Sequence, residues 1–137
     1  MLSHEDRNDG VTYQIIGCAM RIHNTLGNGF QEVIYQRCLN LELKAEGLSF
    51  EREKETPIFY NGTHVGTRRA DFIVADRIVV ELKAVIRLED AHLAQAKNYV
   101  VAYNFPKGLL INFGARSLEY KLVFNNRYGS GLAGLKD

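Results

Sequence analysis

The sequence predicts a mixed α/β layer fold with the element order α-α-β-β-β-α-β-β. Three observations carry that expectation. Apolar residues recur at helical spacing through the first third of the chain. The pattern then changes to strands on either side of Asn61-Gly62, the strongest short hairpin signal. One further helical stretch separates the third strand from two more, so a helix must cross over the sheet.

Each element has its own justification. Ile15, Cys18, Ala19, Ile22 and Leu26 fall on one helical face, and Gly27 suits a C-cap, which predicts a helix over residues 11–26. A second helix is expected over residues 30–46, with Val33, Leu39, Leu41 and Leu43 among its apolar residues and Gly47 ending it. "FEREKETPIFY" and "THVGTRRADFIVA" form the hairpin, and a turn near Asp76-Arg77 leads into "IVVELKAV". These three strands make an antiparallel meander. Asp90 is placed to cap a helix carrying Leu93, Ala96, Val100 and Tyr103, which ends before Pro106. "GLLINFG" and "LEYKLVF" read as the last two strands. The first nine or so residues and the Gly- and Ser-containing tail from about 127 are expected to be poorly ordered.

At 137 residues the chain is expected to be a single domain with enough core to fold without staples. No apolar run approaches the roughly 20 residues needed to span a membrane. The polar, acidic start "MLSHEDRNDG" is the opposite of a secretory signal. Cys18 and Cys38 lack metal-ligand spacing, so reduced, buried thiols in a cytoplasmic protein are expected. A net charge of +1 argues against a nucleic-acid coat protein, which needs many phosphate contacts. It leaves room for an enzyme with a local basic rim, which Arg68 and Arg69 in "TRR" would supply.

The informative stretch is "IVVELKAV". Its start predicts a buried strand, yet Glu81 and Lys83 follow two residues apart and so point to one face. Buried charges cost several kcal/mol unless they are paired or bind a metal. Asp71 lies on the preceding strand, and two registers are open. If residues 75–77 form the loop, Val74 faces Ile78 and Asp71 faces Glu81, with opposed Cβ atoms about 4.5–5.5 Å apart. With a two-residue loop, Asp71 faces Leu82 and Glu81 turns to the other side. Converging carboxylates repel, and a divalent cation reverses the sign of that interaction; Mg²⁺ prefers such oxygens together with water. Lys83 could then stabilise developing negative charge or orient a water for phosphodiester hydrolysis. The bland alternative is a Glu-Lys pair at a solvent-facing strand edge with Asp71 unrelated.

Other residues are ambiguous alone. Glu32 in a first helical turn simply complements the helix dipole, and Tyr35 shares its face at i+3. Gln95 and Tyr99 share a face at i, i+4, as surface residues often do. His23 reads as a satisfied helix histidine. Asn112, an amide inside an apolar strand, suggests a hydrogen bond to a loop.

Taken in order, these segments resemble a known family. "GFQEVIY" matches the GxxExxY motif, and a strand with Asp71, "VVELKAV", "HLAQAKNYV" and "GLLINFG" follow at similar spacing. That family is placed in the PD-(D/E)XK nuclease superfamily. The resemblance implies a restriction-endonuclease-like core, an αβββαβ mixed sheet flanked by helices, here with an extra N-terminal helix and a C-terminal strand. It implies that Asp71 is the first acidic position, that Glu81 and Lys83 are the E-x-K, and that Glu32 is the acidic residue from the preceding helix. Gln95 and Tyr99 resemble the Q-x-x-x-Y motif of the RecB-like branch, which helps place substrate or the active site. Ala70 stands where the superfamily's name has proline. The implied cofactor is Mg²⁺ or Mn²⁺, held by Asp71, Glu81, the Leu82 carbonyl and Glu32.

Two functions therefore compete: a metal-dependent nuclease acting on DNA, with RNA the lesser alternative, and a non-catalytic nucleic-acid-binding or accessory module. The near-neutral charge favours the second, or an enzyme whose specificity comes from a protein partner. Both metal-site readings require Asp71 and Glu81 to meet, so a structure with them on opposite faces of the sheet removes the constellation.

Overall fold

The computed structural model describes residues 10–128. The expected disorder before residue 10 and beyond residue 128 lies outside the described residues. Helices α1 (Gly10–Leu26) and α2 (Glu32–Ala45) precede strands β1 (Phe50–Tyr60), β2 (Thr63–Val74) and β3 (Ile78–Lys83). Helix α3 (Asp90–Tyr103) and strands β4 (Lys107–Asn112) and β5 (Glu119–Phe124) complete the described residues. The sheet order is β1-β2-β3-β4-β5, with β3 and β4 parallel and every other pair antiparallel. The single parallel pair is the one joined by α3, since a crossover is needed to bring the chain back in the same direction.

Burial follows from that order. All of β4 and all of β3 except Lys83 are buried, because these central strands are covered on both faces. On one face Phe72, Val74, Ile78, Val80, Leu82, Leu109 and Ile111 pack against Ile15, Ala19, Ile22, Tyr35, Leu39 and Leu43 of α1 and α2. On the other, Ile73, Val79, Leu110 and Val123 pack against Ala96 and Val100 of α3. Pro57 sits in β1, an edge strand, where its missing N–H costs least. Leu41 takes no part in the core and is 66% exposed.

Two of the boundaries that differ from the expectation have a visible cause. α2 starts at Glu32 because the buried Tyr35 hydroxyl donates to the Gly27 carbonyl at 2.6 Å and accepts from the Phe30 N–H at 3.2 Å. That staple holds residues 27–31 outside the helix, and the ring stacks on Phe113 at 4.5 Å. The N-cap of α3 is Glu89, whose N–H donates to His92 Nδ1 at 2.9 Å, and Asp90 is the first helical residue. Gly27 and Gly47 follow the first two helices with φ of 73° each, the left-handed geometry that glycine adopts freely.

Asn112 does bond a loop. Fully buried, it accepts from the Val85 N–H and donates to the Val85 carbonyl, both at 2.9 Å, and it also donates to Glu119 Oε1. Glu119 Oε1 in turn accepts from the Leu88 N–H at 2.8 Å. These bonds hold the Glu119 carboxyl below its ordinary range, the amide of Asn112 contributing most. The segment after Lys83 is thereby fixed at both ends. His23 is satisfied as expected, with its Nε2 3.0 Å from the Ala115 carbonyl. Cys18 and Cys38 are both free, Cys18 buried and Cys38 half-buried.

A Cβ at Gly114 would lie 2.4 Å from both the Val85 nitrogen and its carbonyl oxygen, so no side chain fits there without moving backbone. Gly114→Ala is expected to destabilise the fold by about 1–3 kcal/mol in urea denaturation. Gly66→Ala, where nothing lies within 4 Å, is expected to be neutral or slightly stabilising. Equal midpoints for the two variants would show that the close approach is not needed.

Candidate active site at the β2–β3 fork

The turn between β2 and β3 decides which residues meet. Ala75 and Asp76 both have φ of 54°, and the Arg77 N–H donates to the Val74 carbonyl at 3.1 Å. Two positive φ values are disfavoured for residues with side chains. The Ala75 N–H is held by the Ser49 carbonyl at 2.9 Å, continuing the β1–β2 ladder and anchoring the turn. Val74 therefore pairs with Ile78, Ile73 with Val79 and Phe72 with Val80. This is the three-residue-loop register, and its next step sets Asp71 opposite Glu81.

At that step the ladder gives way to side chains. The Leu82 N–H donates to Asp71 Oδ2 at 2.7 Å, so a carboxylate takes the place of a strand partner. β1 is distorted opposite, where Glu53 has φ of 56° and the Glu53–Asp71 pairing is missing. The Tyr103 hydroxyl of α3 enters the neighbouring gap. It accepts from the Ala70 N–H at 2.8 Å and donates to the Lys54 carbonyl, with the Arg68 carbonyl 3.2 Å away. Ala70 and Lys54 are ladder partners, so the hydroxyl bridges groups that the distorted strands no longer join directly.

Glu81 and Asp71 come together at this fork. Glu81 is only 8% exposed, and its Oε1 is buried with no hydrogen-bond partner. Burial, followed by the charge of Asp71 and their side-chain contact, pushes the Glu81 carboxyl up to about 10. The Asp71 N–H and the charge of Lys83 oppose that rise without cancelling it. Glu32, half-buried at the start of α2, is also raised, first by burial and then by Asp71, while Lys83 lowers it. Among the described residues, no group of three His, Cys, Asp or Glu side chains lies close enough to hold a metal ion.

The remaining predicted residues divide. Lys83 Nζ donates to Gln95 Oε1 at a long 3.5 Å. Both line a small pocket with Glu81, His92, Ala96, Tyr99 and Leu110. The Arg68 guanidinium lies over the Tyr99 ring, 5.0 Å from its centre. Arg69 does not join them; it is exposed and pairs with Glu53 at 3.7 Å. What Leu82 contributes to Asp71 is its N–H.

Sequence reasoning missed two participants. Gln36 Nε2 donates to Asp71 Oδ1 at 2.9 Å and to Glu32 Oε2 at 3.3 Å. The available signal was its i+4 spacing from Glu32, which puts both on one helix face. Tyr103 falls among the apolar positions of its helix, and nothing local to it announces a partner in the hairpin.

A mixed sheet whose second and third strands part around a carboxylate pair, with lysine two residues beyond the glutamate, defines a restriction-endonuclease-like core. The profile of the PD-(D/E)XK nuclease superfamily matches residues 9–123, and the chain belongs to that superfamily. Among solved structures, the crystal structure of a protein designated SSO0001 is similar, with a TM-score of 0.57 and 20% identity. The match covers 89% of this chain and 59% of that one, and at this identity the likeness is one of fold. No curated protein matches the chain.

The Glu81 environment dictates a pH dependence. Unfolded, its carboxyl ionises near 4.5; folded, near 10, so between these values the folded chain holds the extra proton. The stability this contributes is full below pH about 4.5 and is lost as pH rises toward 10, at up to about 1.4 kcal/mol per pH unit. With chelator present, the urea midpoint of the wild type is expected to fall more steeply between pH 5 and pH 9 than that of Glu81→Gln. Identical slopes would show that Glu81 is not held protonated.

Proposed function

We propose that this protein is a Mg²⁺- or Mn²⁺-dependent nuclease that hydrolyses phosphodiester bonds of DNA, RNA being the less favoured alternative to DNA. The observation that carries the reading is the buried, partnerless Oε1 of Glu81 beside Asp71. A buried carboxyl raised by burial and by a neighbouring carboxylate belongs to a donor set that a divalent cation satisfies, and Mg²⁺ keeps several waters when protein ligands are few. The residues fit the ion on those grounds. Asp71, Glu81 and the Leu82 carbonyl would hold it, with Glu32 supporting the site. The ion would neutralise the carboxylates, polarise the phosphoryl oxygen and lower the pKa of a bound water.

The chain's own residues supply the rest. Lys83 reaches the pocket beside Glu81 and orients the attacking water, with Gln95 steadying its ammonium. As the water oxygen bonds to phosphorus and gives a proton to solvent, the bond from phosphorus to the leaving oxygen breaks; Lys83 stabilises the charge that develops, and the leaving oxygen takes a proton from solvent. Arg68, preorganised over Tyr99, would receive a backbone phosphate at the pocket margin. Arg69 on the outer rim would add a second, weaker phosphate contact.

The second reading is a nucleic-acid-binding or accessory module that keeps the fold. Net charge of +1, together with the engagement of Arg69 by Glu53, favours it. The same facts favour a protein partner that holds the substrate for an active enzyme.

Titration calorimetry with Mg²⁺ or Mn²⁺ is expected to show binding to the wild type and none to Asp71→Ala. Lack of binding by the wild type at millimolar ion, with and without DNA, would defeat the metal site. Lys83→Ala is expected to lower cleavage of single- or double-stranded DNA by about 10²–10³-fold, the cost typical of losing a group that stabilises developing charge. Metal binding without cleavage of either DNA or RNA would favour the accessory module.

A further inference from the structure

Gln36 occupies a position that the nuclease reading leaves without a role. Its amide nitrogen has two hydrogens, and it sits between two carboxylates, 2.9 Å from Asp71 Oδ1 and 3.3 Å from Glu32 Oε2. The reversed amide would set its oxygen against both carboxylates, so the donor orientation is the only compatible one. Asp71 Oδ2 is taken by the Leu82 N–H at 2.7 Å. Both oxygens of Asp71 are thus held, one from α2 and one from β3, which fixes the plane of the carboxylate.

We propose that Gln36 is a positioning residue that orients Asp71 for its cation, and that Glu32 acts through Gln36 rather than on the ion. The proposal rests on the reading that Asp71 binds a divalent cation. Three facts carry it. The Gln36 amide lies between Glu32 and Asp71 and bonds to both. Asp71 Oδ2 accepts from the Leu82 N–H at 2.7 Å, so the Gln36 amide completes the hold on the carboxylate. Glu32 and Gln36 are one turn apart on the same helix, and the Tyr35 staple fixes where that helix begins. An acidic residue one helical turn before a glutamine orients the amide, and the amide orients the ligand. Such outer partners commonly decide how well a ligand is presented.

The test separates positioning from ligation, and both from failure of the metal reading. Gln36→Met removes both donors and keeps an unbranched, helix-compatible side chain; Gln36→Leu serves if it folds poorly. Glu32→Gln removes the charge and keeps an acceptor for the Gln36 amide. In the metal-free protein, hydrogen exchange at the Leu82 amide reports whether Asp71 is held. It is expected to quicken severalfold in the Gln36 variants and to stay near wild type in Glu32→Gln. Mn²⁺ affinity is expected to fall about tenfold or more in the Gln36 variants and much less in Glu32→Gln. Wild-type exchange at Leu82 in the Gln36 variants would overturn the positioning role. A loss of Mn²⁺ affinity in Glu32→Gln equal to that in Asp71→Ala would make Glu32 a ligand and overturn the second half. If the wild type binds no Mn²⁺, the metal reading fails by that result, and the Leu82 exchange still decides whether Gln36 holds Asp71.

Discussion

The burial of Glu81 beside Asp71 is the constraint around which the rest of the structure is arranged. Two carboxylates brought together out of water cannot both stay charged without compensation, and here burial and the neighbouring Asp71 push the Glu81 carboxyl up to about 10. The geometry resists the easier solution of letting them drift apart. Glu81 lies on a fully buried stretch of the central strand, and Asp71 is held from α2 and from the Leu82 backbone. The surrounding hydrogen bonds hold the two carboxyl groups in register.

Those hydrogen bonds come from polar side chains placed where regular structure fails. Tyr103 fills a gap in the β1–β2 ladder, Tyr35 ties the start of α2, and Asn112 binds the backbone that follows Lys83. Each satisfies backbone groups that a loop or distorted strand would otherwise leave buried and unpaired. The segment from Asn112 to Ala115 joins these devices. Asn112 and Gly114 receive Val85, the Gly114 carbonyl accepts from Asn28 at 3.4 Å, and the Ala115 carbonyl meets His23. The loop before Glu32 and the loop after Lys83 are thereby tied to one stretch of chain, so acidic and basic members of the site share a rigid support. The tyrosine of "GFQEVIY" thus has a physical reason: its hydroxyl sets where the helix carrying Glu32 and Gln36 begins.

Much of this is legible in the sequence. Helical and strand periodicity predicts, in order, the eight elements of the described residues, and Asn61-Gly62 locates the hairpin turn. The interruption of an apolar strand by Glu81 and Lys83 marked the site, because a charge in such a strand needs a reason. Boundaries were less legible where a distant or reciprocal partner sets them. α2 begins late because of the Tyr35 staple, and α3 is capped one residue early because Glu89 has His92 to bond. Leu41 shows that an apolar residue in a helix says little about burial until the helix is docked.

What the sequence determined by itself is therefore the order of the elements, the hairpin and the short set of charged residues that required explanation. These follow from local geometry: side-chain period, turn chemistry and the cost of burying charge. The tertiary structure alone decided the register of the turn at residues 75–77, since the bond from Ala75 to Ser49 comes from a strand that ends its pairing with β2 there. It also decided that Gln36 stands between Glu32 and Asp71, that Tyr103 bridges the hairpin, and that burial beside Asp71 raises the Glu81 carboxyl. Each depends on groups far apart in the chain being brought within hydrogen-bond reach and out of water, which no local pattern encodes.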